Sequence, residues 1–135
     1  MTRTEAKNYI VKKFVDEYND ETPYVLDNNE NFVKPENDVW VEFSVRYADA
    51  EQATIGEEGG RRFSRKGVIA YNVYIPPNTG TYDGDVLCEQ INNIFEGKRF
   101  EQIICKTGTW KELGMNDQDE FQFYGYIYFE LDEKK

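Results

Sequence analysis

The 135-residue sequence contains no histidine. The side chain best suited to proton transfer near neutral pH is missing, and with it every histidine-containing metal site. Two cysteines, Cys88 and Cys105, are too few for a disulfide framework, so reduced thiols in a cytoplasmic product are expected. No run approaches ~18 apolar residues, so no membrane-spanning helix is expected. The opening MTRTEAKNYIVKKF lacks the unbroken apolar stretch of a signal peptide. Basic residues are the minority, 16 against 26 acidic ones, for a net charge of −10. That balance argues against general binding to a phosphate backbone, which needs Lys and Arg to displace counterions. It suits solubility, repulsion of DNA, or docking onto a basic protein partner.

Aromatic side chains are plentiful. Nine Phe, ten Tyr and two Trp make 16% of the chain. They carry much of the core volume and favour strands. Residues 2–20 read as a helix. Thr2 with Glu5 three residues on is a capping-box pattern. Ala6, Ile10, Val11, Phe14, Val15 and Tyr18 form one apolar stripe at helical spacing. Asn19, Asp20 and Pro23 end it. Tyr24–Leu26 suits a short strand, and residues 27–38 a polar loop. Asp27, Asn29 and Asn31 imitate the start of a calcium loop. Phe32 stands where that loop needs glycine, and Asp38 where it needs glutamate, so no metal site is expected.

Val39–Tyr47 alternates in the manner of a half-buried strand, with Trp40 on its more polar face. An interface role and an ordinary half-buried role are both open for Trp40. Residues 48–55 have no clear pattern, with the start of a second strand one reading, and 56–60, with Glu57 and Glu58, read as a flexible loop. Its glycines do not make a phosphate cradle: no Gly-Lys-Ser/Thr follows, and two glutamates repel phosphate. Arg61–Ile75 reads as a long strand broken or bulged near Gly67. Its lead, Arg61, Arg62, Arg65 and Lys66, is the densest basic cluster in an acidic chain. It is either a solvated strand junction or a contact with carboxylates of a partner or second copy.

Two prolines in PPNTG, residues 76–80, force a turn. A helix follows over about 81–96, with Leu87, Ile91, Ile94 and Phe95 on one face and Gly97 as its cap. Cys88 falls in this helix, with no histidine to activate it as a nucleophile. Phe100–Thr109 reads as a strand, Trp110–Asp119 as a loop, and Glu120–Leu131 as the last strand. Tyr124, Tyr126 and Tyr128 make a ladder on one face of that strand, suited to a neighbouring subunit or to cross-strand contacts. Gly125 interrupts the opposite face, and DEKK reads as a frayed tail. The expected architecture is a single α+β domain over residues 1–135: a mostly antiparallel sheet of four or five strands with two amphipathic helices packed on one face.

One block carries a resemblance. Arg61-Arg62-Phe63 leads into Gly67-Val68-Ile69, which opens a strand ending at Ile75-Pro76. A turn holding Thr79-Gly80 follows, then a helix closing on Ile94-Phe95-Glu96-Gly97. This run resembles phage tail terminator (tail completion) proteins. The N-terminal helix and the trailing hairpin sit in the matching order. The resemblance implies a non-enzymatic virion protein without cofactors, present in the host cytoplasm during assembly and at the head-proximal end of the tail afterwards. It implies a ring, six copies in the family, that caps the tail tube, stops its polymerisation, and meets the head-completion or neck protein. DNA would pass through such a ring without specific binding. A head-to-tail ring needs two complementary patches per copy. The residues offered for them are Arg61, Arg62, Arg65, Lys66, Glu57 and Glu58, with Trp40, Tyr124, Tyr126 and Tyr128 as a second, aromatic set.

Other readings are a different head–tail connector of similar fold, an acidic inhibitor that mimics DNA, and an enzyme. Carboxylate pairs such as Asp83 with Asp85, or Asp117 with Asp119, are the material an enzyme would use. Neighbouring acids in loops and at helix starts are more often solvated or capping.

Overall fold

The computed structural model describes residues 1–18, 22–26, 33, 35, 38–52, 54, 56 and 58–134. Helix α1 spans Arg3–Glu17, shorter at both ends than the range 2–20 read from the sequence. Thr2 is its N-cap: the Glu5 amide donates to the Thr2 hydroxyl, and the Glu5 carboxylate accepts from the Thr2 amide. This reciprocal pair satisfies two amides that the first turn would otherwise leave open. Ala6, Ile10 and Phe14 are fully buried, Tyr9 and Val11 pack against the core at its margin, and Val15 is 40% exposed.

Six strands follow among the described residues: β1 Tyr24–Leu26, β2 Trp40–Gln52, β3 Arg62–Ile75, β4 Arg99–Phe100, β5 Ile103–Met115 and β6 Phe121–Lys134. Helix α2, Tyr82–Phe95, lies between β3 and β4. The sheet order is β1-β2-β3-β6-β5-β4. All pairings are antiparallel except β1 with β2. The class is α+β as expected, but the sheet has six strands and is mixed, not four or five.

Most of the difference lies at strand ends. Residues 48–52, which have no clear pattern in the sequence, continue β2, and Trp110–Met115, which read as loop, continue β5. The turn between β5 and β6 is only residues 116–120. Asp132–Lys134 are not a frayed tail: they pair with Arg62–Ser64 of β3. Nor does Gly67 break β3, whose register with β6 runs unbroken from Arg62 to Ile75. The bulge sits across from Gly67 on β2, between Tyr47 and Asp49.

Alternate residues of the central strands face the helices. Val41, Phe43 and Val45, then Ile69, Tyr71, Val73 and Ile75, then Phe123, Ile127, Phe129 and Leu131, join Ile10, Phe14, Leu87, Ile91 and Phe95 in one core. Phe14 stacks on Phe43 with ring centres 4.0 Å apart, which fixes α1 over β2. Glycines make room for rings. A Cβ on Gly125 would fall 2.0 Å from Tyr71 Cζ, one on Gly84 2.2 Å from Phe123, and one on Gly67 2.4 Å from Phe129. Gly125 is therefore not a bend but the notch that lets Tyr71 lie flat across β6, its hydroxyl donating to the Cys88 carbonyl at 3.2 Å.

Both thiols are inside this core. Burial, helped by Asp85, pushes the Cys88 thiol up to about 12; burial, opposed by Lys13, pushes Cys105 up to about 11. The neutral thiol is the form that the fold stabilises. Its contribution is fully present below the ordinary thiol value of 9.0 and is lost as pH climbs from there towards about 11–12. We expect the native chain to resist a thiol reagent at pH 8 and to label at both positions once unfolded in denaturant. Rapid labelling of either cysteine in the native chain would contradict this burial.

Candidate functional site

The basic cluster proposed from the sequence lies at one end of the sheet, where β3 leaves the helix layer and pairs with the last residues of β6. Arg62 and Arg65 of it are matched within the chain. The Arg65 guanidinium binds the Glu133 carboxylate, a pair whose side chains are 20% and 8% exposed. Arg62 approaches Asp132 at 4.0 Å, and Lys106 approaches Glu130 at 3.7 Å. Lys66 is exposed. Arg61 Nε is enclosed without a hydrogen-bond partner among the described residues. Glu58 is exposed in the turn between β2 and β3, and Glu57 lies outside the described residues. Asp27, Asn29 and Asn31 of the supposed calcium loop lie outside them too, while Asp38 is exposed and accepts from the Val39 amide at 2.8 Å.

The aromatic set is split. Trp40 lies flat on Tyr74, ring centres 4.2 Å apart, and its indole N–H donates to Glu120 Oε2 at 2.7 Å. Glu120 is 8% exposed and closes the β5–β6 turn, so Trp40 ties that turn to β2. Burial first, then Glu42 and Glu120, pushes the Tyr74 hydroxyl up to about 12. Tyr124, Tyr126 and Tyr128 do form a ladder, with ring centres 5.8 and 5.3 Å apart. Tyr128, at 56% exposed, is the member most open to solvent. Between Trp40 and the ladder runs a polar relay: Gln122 donates to Asn72, which donates to Glu42.

Neither proposed carboxylate pair converges on a cleft. Asp85 accepts from the Trp110 indole N–H at 3.1 Å, and Asp83 sits in the first turn of α2. Asp117 and Asp119 are exposed in the β5–β6 turn. Among the described residues, no group of three His, Cys, Asp or Glu side chains could hold a metal ion. A shallow cleft of about 540 Å³ between α1 and β2 is lined by Arg3, Lys7, Arg46 and Tyr47, with no carboxylate among the described residues that line it. Sequence spacing could not show this second basic grouping, because Arg46 lies far along the chain from α1. The exposed Leu113 and Met115 on β5, at 50% and 54%, were hidden in a segment that reads as loop.

The fold is not unique to this chain. It superposes on a solved structure of a protein bearing no functional name, with a TM-score of 0.70 and 13% identity, covering 100% of this chain and 99% of that one. At that identity the likeness speaks for the fold alone. No curated protein matches the sequence. The profile described as "Phage tail terminator protein" matches residues 8–109, well over half of the chain and spanning α1 through the middle of β5. By that match the chain belongs to the phage tail terminator family, structural proteins of the virion tail.

Proposed function

We propose that this chain, as one tail-terminator domain, forms a ring of six that caps the tail tube, stops its polymerisation, and offers the head-completion or neck protein a docking surface. It does no catalysis and needs no cofactor. The observation that carries this reading is the family match over residues 8–109. The chemistry agrees with it. Of the carboxylates that could act in pairs, Asp85 holds an indole, Asp83 lies in the first turn of α2 and Asp117 and Asp119 are exposed in a turn; the two thiols are buried and neutral. A net charge of −10 per copy suits a hole that duplex DNA traverses without adhering. The acids of β6 do not form an open phosphate-like row, since Arg62, Arg65 and Lys106 face them; that weighs against a DNA mimic.

Light-scattering mass across a dilution series, with electron micrographs of tails made with and without the chain, tests the proposal. The expected result is a closed ring mass and capped tubes of uniform length. A chain that stays monomeric at every concentration and leaves tube length unregulated would overturn it.

A further inference from the structure

A cleft beside the middle of β2 and a turn beside its start are charged in opposite senses. β1 stops at Leu26, opposite Phe43, so from Ser44 onward β2 meets α1 with no strand beside it among the described residues. The cleft of about 540 Å³ opens there, lined by Arg3, Lys7, Arg46 and Tyr47. Arg3 Cζ lies 4.6 Å from the centre of the Tyr47 ring, and the Tyr47 hydroxyl donates to the Arg3 carbonyl at 3.0 Å. This double tie holds one cation of the cleft in place. Glu5, the acid in the first turn of α1, is turned back onto the Thr2 amide. Arg46 is exposed and makes no ion pair among the described residues. An acidic chain thus keeps a concave cationic site.

The turn between β5 and β6 has the opposite charge and a fixed shape. Asn116 Oδ1 accepts from the Gln118 and Glu120 amides, both at 2.9 Å, and the Asn116 amide donates to the Glu120 carbonyl at 2.8 Å. Asp117 and Asp119 are exposed at its tip, and neither makes an ion pair among the described residues. Leu113 and Met115, about half exposed, stand on β5 just before it. The turn is tied to Trp40, which lies about 23 Å along β2 from Tyr47, and β3 separates β2 from β6, so it does not reach the cleft of its own chain. Guanidinium groups bind carboxylates bidentately, and a turn already fastened loses little freedom on docking. Seating the turn in the cleft of a second copy sets opposite charges together and covers apolar surface beside them. It is a contact between two different surfaces, the kind that closes a ring. Duplex DNA is a poorer occupant: its phosphates lie along a convex rod, and the site is one concave focus on a chain of net charge −10. The Arg61–Lys66 cluster is a poorer cationic partner for the turn, because Arg62 and Arg65 already meet Asp132 and Glu133.

We infer that the α1–β2 cleft of one copy takes the β5–β6 turn of the next, Arg3 and Arg46 binding Asp117 and Asp119. This rests on the proposed ring and assigns its surfaces. Two full-chain variants test it: Arg3→Glu with Arg46→Glu, and Asp117→Arg with Asp119→Arg. All four side chains are exposed, so unfolding midpoints should stay near that of the parent. Each variant alone should associate about a hundredfold more weakly, because like charges then face one another across the contact. Mixed in equal amounts, the two should assemble as the parent does: each meets the reversed charge of the other, and an even-numbered ring can alternate them. Should either variant fold poorly, Arg46→Cys with Asp117→Cys in one chain is treated with a short bismaleimide, the native thiols being buried. A multimer ladder is expected there and none for Arg46→Cys with Glu89→Cys, whose second position is exposed on α2. If the parent associates and both variants associate as it does, or lose association without recovering it on mixing, the contact is wrong and the ring reading stands. If the cleft variant instead loses only retention of duplex DNA, the cleft takes phosphates and the contact is again wrong. If the parent stays monomeric at every concentration, with or without tails, the contact falls together with the ring.

Discussion

Replacing Gly125 with alanine is expected to destabilise the fold by about 3 kcal/mol, the upper end of the range for overfilling a packed core. The added Cβ would meet three atoms of the Tyr71 ring at 2.0–2.4 Å. Tyr71 cannot yield cheaply. It is fully buried at the centre of β3, and its hydroxyl donates to the Cys88 carbonyl of α2. Moving the ring would strand that hydroxyl in an apolar setting, where an unpaired hydroxyl costs about 1–3 kcal/mol. Burial also raises the Tyr71 hydroxyl far above its ordinary value, so the phenol stays protonated and donating at any pH of interest. Urea unfolding of Gly125→Ala measures the loss. A useful comparison is Gly97→Ala, just past the end of α2. There the backbone has φ +70 but nothing lies within 4 Å of an added Cβ. Only the left-handed backbone is penalised at that position, by about 1 kcal/mol. Equal losses at the two sites would show that the Tyr71 notch is not what positions β6 under α2.

Features set by local spacing were legible in the sequence. The capping box at Thr2 and Glu5, the Leu87, Ile91 and Phe95 face of α2, and the alternation of β2 and β6 are written within a few residues of one another. What was not legible depends on distant residues. Trp110–Met115 contains Lys, Glu and Gly and reads as loop, yet it is a strand because β6 offers it a partner. Gly125 and Gly67 look like interruptions until Tyr71 and Phe129 are seen across from them. The same holds for the candidate site. The aromatic ladder was readable from its period of two. The partner of Trp40, Glu120, is 80 residues away, and the partner of Arg65 is 68 away. No pattern in one sequence encodes those pairings, so the intrachain partners of Arg62 and Arg65 within the basic run were not legible.

That reassignment has a measurable consequence. Arg65→Ala should lower the stability of the single chain by about 2–3 kcal/mol, the cost of leaving a carboxylate enclosed without its cation, somewhat below the figure for a fully buried pair. Glu133 is only 6% exposed and has Leu131 and Phe63 on its own face of the sheet. Water cannot readily replace the guanidinium. Removing both charges together is a different matter. Arg65→Met with Glu133→Leu takes away the desolvation cost along with the attraction, so the double variant should recover most of the loss. The comparison separates two roles for the basic cluster. If Arg65 joins β3 to the end of β6, denaturant midpoints move for the single variant, return for the double one, and the association constant stays near that of the parent chain. If Arg65 instead binds a carboxylate on another copy, the pattern reverses: association weakens in both variants, and the unfolding midpoint of the dilute monomer hardly changes. The intrachain role also takes part of the arginine-rich strand lead out of the exterior charge, since Arg62 and Arg65 are met by Asp132 and Glu133 before any partner arrives.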